Sequence, residues 1–137
     1  MTASSRTVEH VGEWRIEVRG ETPAEIFQEL ARVIARAAGT SSGAYGDWEE
    51  IAVEARDREG LLVDFANELV SRSEIDQRAY DDVQDVVVDD DARPRIRARM
   101  RGRAVTSWRS PLKAATYHGV RLVREGEGWR ANVLFDV

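Results

Sequence analysis

The chain has no cysteine among its 137 residues, so neither a disulfide framework nor a thiolate metal site is open to it. It has no apolar run approaching the roughly 20 residues that a membrane span needs. Its opening, Met1-Thr2-Ala3-Ser4-Ser5-Arg6-Thr7, lacks an apolar core of the secretory type, and cytoplasmic residence is the expectation. There is no Gly-x-x-x-x-Gly-Lys phosphate loop and no serine in a recognisable nucleophile motif, which argues against independent catalysis. Lysine is nearly absent as well: Lys113 stands alone among 20 basic side chains, the rest being arginine. An ammonium differs from a guanidinium in hydration, donor geometry and ease of deprotonation. A lone lysine in such a chain is therefore either a chance survivor of the composition or a position that needs a compact cation.

What remains is enough for one domain. With 42% hydrophobic and 33% charged residues, positions 1–137 are expected to fold around a single core, with about the first eight residues as a flexible N-terminus. A net charge of −5 disfavours coating of nucleic acid by bulk electrostatics, so RNA contact is expected to be local or made through a partner.

Trp14-Arg15-Ile16-Glu17-Val18-Arg19 alternates apolar and charged residues and predicts a strand with one buried face, ended by Gly20. Thr22, Pro23 and Glu25 form a capping box with proline at the first helical position. Ile26, Phe27, Leu30, Val33, Ile34 and Ala37 then recur at helical spacing as far as Gly39. A loop over residues 40–46 leads to a short strand around Ile51-Ala52-Val53. Asp57 can cap a second helix, striped by Leu61, Leu62, Phe65, Leu69 and Val70 and ending near Ser73. Later strands are predicted over Val83–Val88, Arg95–Arg103, Ala114–Val123 and Trp129–Phe135, with turns at 89–94 and 125–128. The expected fold is α+β, a mainly antiparallel sheet with two helices packed on one face.

Three groups of residues invite a functional reading. Arg93, Arg95, Arg97, Arg99, Arg101 and Arg103 occupy every second position, so a strand through them projects a row of guanidinium groups. That row suits an RNA backbone, an acidic protein surface, or cross-strand pairing with Asp85 and Asp89. His10 and Glu13 precede the first expected strand. The chain end can add Asp136 and the Val137 carboxylate to an oxygen-rich site for Ca²⁺, Mg²⁺ or Mn²⁺, although solvated surface acids explain the same residues. Asp64 falls at the border of the second helix's apolar stripe. His118 follows Tyr117 in a strand, where packing or a hydrogen bond is the commoner role for a histidine.

The block Lys113-Ala114-Ala115-Thr116-Tyr117-His118, the Gly128-Trp129-Arg130 segment and the finish Val133-Leu134-Phe135-Asp136-Val137 resemble the C-terminal motifs of the archease family. Leu61-Leu62-Val63-Asp64-Phe65-Ala66-Asn67-Glu68-Leu69 is similar to that family's second-helix motif, and the resemblance spans Glu9 to Val137. The chain departs at Glu9-His10-Val11-Gly12-Glu13, where the family pattern carries aspartate at the position of Glu13, and in a shorter segment between Gly102 and Lys113. The resemblance implies an accessory protein, itself not an enzyme, for an RtcB-type RNA ligase. Such a ligase joins RNA ends with GTP and Mn²⁺ in tRNA splicing and RNA repair, and the accessory protein promotes its guanylylation and turnover. Glu13, Asp136 and Val137 would hold a divalent ion. Lys113, Asp64 and His118 would serve ligase activation, and RNA would be met through the ligase; apart from the resemblance, the alternating spacing makes Arg95, Arg97, Arg99 and Arg101 the candidate RNA or partner surface. The alternative is a binding module or chaperone of the same fold that has lost the ligase. A metal-dependent hydrolase would gather more carboxylates or histidines than this chain offers.

Overall fold

The structure, a computed structural model, describes residues 2–137. Thr22 starts the first helix, α1 (Pro23–Ala38), by accepting the Glu25 N–H at 3.2 Å while Glu25 reaches back to its hydroxyl, and Gly39 ends it with φ +120°. Asp57 caps α2 (Arg58–Asp76) by accepting the Gly60 N–H at 2.7 Å. This helix runs one turn beyond the Ser73 end expected from its apolar stripe, because Gln77 closes it in the left-handed conformation at φ 53° and donates its N–H to the Ser73 carbonyl.

The strands are β1 (Ser4–His10), β2 (Glu13–Gly20), β3 (Ser41–Ser42), β4 (Glu49–Glu54), β5 (Arg78–Asp89), β6 (Arg95–Val105), β7 (Ala114–Glu125) and β8 (Gly128–Asp136). Every pairing is antiparallel, so the α+β reading holds, but the strands divide into two four-stranded sheets. One has the order β1-β2-β8-β7; in the other, β6 is central, with β5 along one edge and β3 and β4 along the opposite edge. The sequence predicts two helices on one face of a single sheet; both helices pack on the antiparallel strands, but each meets both sheets. α1 touches β1, β2 and β8 of the first sheet and β5 of the second, and α2 touches β7 of the first and β4 and β5 of the second. Apolar surface around α1 and α2 is large enough to be buried against both sheets at once.

The expected flexible N-terminus is corrected in the same way. Residues 4–10 form β1, in register from Ser4 opposite Arg19 to His10 opposite Glu13, with the turn at Gly12 (φ +82°). This strand carries little apolar pattern. It is held by the backbone ladder, by an Arg6–Glu17 ion pair at 3.1 Å, and by the Ser5 hydroxyl donating to the buried Glu29 carboxylate of α1 at 2.9 Å.

Ile16 and Val18 of β2, Ile26, Phe27 and Leu30 of α1, Leu61, Leu62 and Phe65 of α2, and Val133 and Phe135 of β8 are wholly buried in one cluster. Phe27 and Phe65 meet edge to face at 5.1 Å between ring centres, which locks the two helices together. No helix among the described residues is long and apolar enough to cross a membrane.

Candidate functional site

The inward residues of β2 and β8, Ile16, Val18, Val133 and Phe135, are fixed by the core, and this sets the register in which Glu13 stands directly opposite Asp136. Directly opposed residues of an antiparallel pair share a face, with Cβ atoms about 5 Å apart. Both carboxylates are exposed on the outer face of the sheet. His10 opposes Glu13 from β1, and Ala114 opposes Asp136 from β7, so His10, Glu13, Asp136 and Ala114 form one row across the sheet. Among the described residues, no three His, Asp or Glu side chains gather closely enough to form a metal centre by themselves.

The main chain ties Lys113 and Val137 to this end of the sheet. The Lys113 N–H donates to the Asp136 carbonyl at 2.8 Å, and the Val137 N–H donates to the Gly12 carbonyl at 3.1 Å. Lys113 and Val137 also line one cleft of about 470 Å³ with Glu74, Trp108 and Leu112. Glu13, Lys113 and the chain end Asp136-Val137, three separate stretches of sequence, are therefore brought to one end of the sheet by the main chain.

His118 lies further along β7, and Asp64 faces the same stretch from α2. The pairing of β7 with β8 slips between Thr116 and Arg121, so that Tyr117, His118, Gly119 and Val120 lie opposite the one residue between Leu134 and Asn132. Gly119 turns within this bulge at φ +67°, and Tyr117 and His118 are exposed on it. The Tyr117 hydroxyl donates to the Asp64 carboxylate, and these two residues line a cleft of about 380 Å³ with Arg56, Asp57 and Gly60. That hydrogen bond, with partial burial, raises the Tyr117 phenol above its ordinary value. Lys113 lines the cleft beside Val137, and His118 lines neither that cleft nor the one beside Asp64.

The residue that positions this strand was not singled out from sequence. Asn67 of α2 accepts the Ala115 N–H at 2.7 Å and donates to the Ala115 carbonyl at 3.1 Å, so its amide takes the place of a neighbouring strand on the edge of β7. Glu59 accepts the Leu122 N–H at 3.2 Å further along. The only sign of Asn67 in the sequence is its place beside Glu68 in the second-helix motif.

The arginine row forms as expected on the outer face of β6, and the acids of β5 pair with it. Arg95 meets Asp89 at 3.2 Å, Arg99 meets Asp85 at 2.6 Å and Arg101 meets Asp82 at 2.7 Å. Burial alone would raise the Asp82 carboxyl, but hydrogen bonds from Gln84 and Arg101 outweigh it and hold the group below its ordinary value. Two aromatic side chains from the loop before β4, which the sequence reading passed over, join the row. Trp48 lies under Arg99 and Arg101, and Tyr45 under Arg101 and Arg103, with guanidinium carbons 4.3 to 4.6 Å from the ring centres.

Comparison with known proteins agrees with the motifs and the topology. The family model described as the Archease protein family matches residues 6–137. The chain is 24% identical over 136 residues to Protein archease of Methanosarcina barkeri, covering 95% of this chain and 93% of that protein. It is 28% identical to Protein archease of Methanopyrus kandleri, covering 95% and 96%. The fold is similar to the solution structure of Protein 1598 of Methanobacterium thermoautotrophicum, with a TM-score of 0.78, 18% identity, and coverage of 97% of this chain and 98% of that one. The chain belongs to the archease family.

Proposed function

We propose that this chain is an accessory protein that activates an RtcB-type RNA ligase, promoting GTP-dependent guanylylation and repeated turnover in tRNA splicing or RNA repair. The observation that carries the reading is the convergence, at one end of a rigid sheet, of the opposed carboxylates Glu13 and Asp136 with Lys113, whose amide is bonded to the Asp136 carbonyl.

Adjacent carboxylates are hard oxygen donors and fit Mg²⁺, Mn²⁺ or Ca²⁺ in kind, and the longer side chain of Glu13 still reaches the face it shares with Asp136. Glu13, Asp136 and the Val137 carboxylate would hold such an ion, with the remaining positions left to water or to the ligase. When bound, the ion supplies positive charge for phosphate oxygens. Lys113 presents its ammonium at the neighbouring cleft, where it can meet the nucleotide phosphates in the ligase. Asn67 keeps the start of β7, and with it Lys113, in place. Asp64 and His118 belong to a second contact on the bulge. Bond making belongs to the ligase, which uses the GTP and carries the RNA.

The test is stimulation of the ligase by Lys113→Ala and Asp136→Ala variants whose melting temperatures match the wild type. Loss of stimulation in both is expected. Full stimulation by both would remove the site and favour a diverged binding module.

A further inference from the structure

On the outer face of β6, four of the five arginines from Arg95 to Arg103 are immobilised, and Arg97 is not. Arg95, Arg99 and Arg101 are ion-paired to Asp89, Asp85 and Asp82, and Arg103 rests on Tyr45. Among the described residues the Arg97 side chain has no ion pair, hydrogen bond or ring partner. Its register neighbours are both apolar, Ala52 on β4 and Val87 on β5, and Val87 is 55% exposed. Arg97 also lines the clefts on both sides of Val87, of about 240 and 360 Å³. An unpaired guanidinium between apolar side chains, framed by fixed ion pairs, has the composition of the centre of a protein interface, where arginine is enriched and the surrounding contacts exclude water.

The same face suits nucleic acid poorly. Glu50, Glu54, Asp82, Asp85 and Asp89 are interleaved with the five arginines, so a phosphate backbone laid along the row would meet as many carboxylates as guanidiniums. The rings of Trp48 and Tyr45, the natural stacking platforms for bases, each already lie against two guanidinium groups. We infer that the Arg97 face is a docking surface for a protein segment that presents a carboxylate flanked by apolar side chains. The carboxylate forms a two-point pair with Arg97, and the apolar side chains cover Val87 and Ala52. This inference is independent of the ligase assignment.

The test titrates the full-length, ¹⁵N-labelled protein with two probes, a synthetic peptide alternating leucine and glutamate and an oligouridylate of similar length. The peptide is expected to shift the Arg97 side-chain N–H and the amides of Ala52 and Val87. Arg97→Ala, which breaks no partnership in the fold, is expected to weaken peptide binding about tenfold or more, and the oligouridylate to leave these signals unmoved. The inference is overturned if the peptide shifts none of these signals, if Arg97→Ala binds it as the wild type does, or if the oligouridylate shifts them in place of the peptide.

Discussion

Glu13 and Asp136 stand opposite each other on β2 and β8, 123 positions apart in the chain, in a register fixed by wholly buried residues on the other face of the same two strands. Their adjacency is thus a product of core packing and does not depend on any contact between the carboxylates. Replacing either acid removes charge from the candidate site without touching what holds the site together. Both Glu13→Gln and Asp136→Asn are expected to leave the unfolding free energy, measured by urea titration, within the roughly ±0.5 kcal/mol typical of surface changes.

Asn67→Ala is expected to behave differently. It deprives the Ala115 N–H and carbonyl of their partners at an otherwise covered strand edge, and Ala115 is only 6% exposed. A destabilisation of about 1–3 kcal/mol follows from stranding buried backbone groups. Urea unfolding measures it. Faster exchange of the β7 amides, which begin beside Lys113, would accompany it.

Gly102 faces inward on β6, where an added Cβ would lie 2.5 Å from the Ala79 carbonyl oxygen and 2.9 Å from its carbon. Backbone cannot yield as a flexible side chain does, so Gly102→Ala is expected to cost at least about 1–3 kcal/mol. Phe65→Ala, which opens the Phe27–Phe65 contact inside the helix layer, is expected to cost about 3–5 kcal/mol. Thermal unfolding with a ligand-free sample ranks both below Glu13→Gln.

All three tyrosines have phenols raised above their ordinary value: Tyr45 by burial and Asp81, Tyr80 by burial with Asp76 and Glu49, and Tyr117 by Asp64 and then burial. A group whose folded pKa is raised contributes stability that is present below its unfolded pKa and lost as pH rises through the folded value. The tyrosinate absorbance of the native protein is therefore expected to rise later than that of the urea-unfolded chain, and stability to fall above about pH 10. Asp64→Asn removes the carboxylate charge beside Tyr117 and is expected to bring part of the titration back toward the unfolded curve. Asp82 has the opposite sign: its lowered carboxyl contributes stability that is lost as pH falls through the folded value.

Much of this molecule was legible in the chain because short-range signals were strong. Thr22, Pro23 and Glu25 announced α1, Asp57 announced α2, and the alternation of Arg95 to Arg103 announced both β6 and its pairing with Asp85 and Asp89. β1 escaped because a strand held mainly by its ladder and by Ser5–Glu29 leaves little hydrophobic period to read. The division into two sheets escaped because it is decided by which strands meet across the core, and local periodicity does not encode that. The adjacency of Glu13 and Asp136 is a register fact and needed the fold. The stacking of Trp48 and Tyr45 on the arginines came from a loop whose residues carry no periodic pattern.

The most direct measurement of the central claim is multiple-turnover RNA ligation by the source organism's own RtcB-type ligase, with GTP and Mn²⁺, in the presence and absence of this protein. The account predicts that the protein raises the number of turnovers and that Lys113→Ala and Asp136→Ala abolish the gain. Turnover that is the same with and without the protein would contradict it.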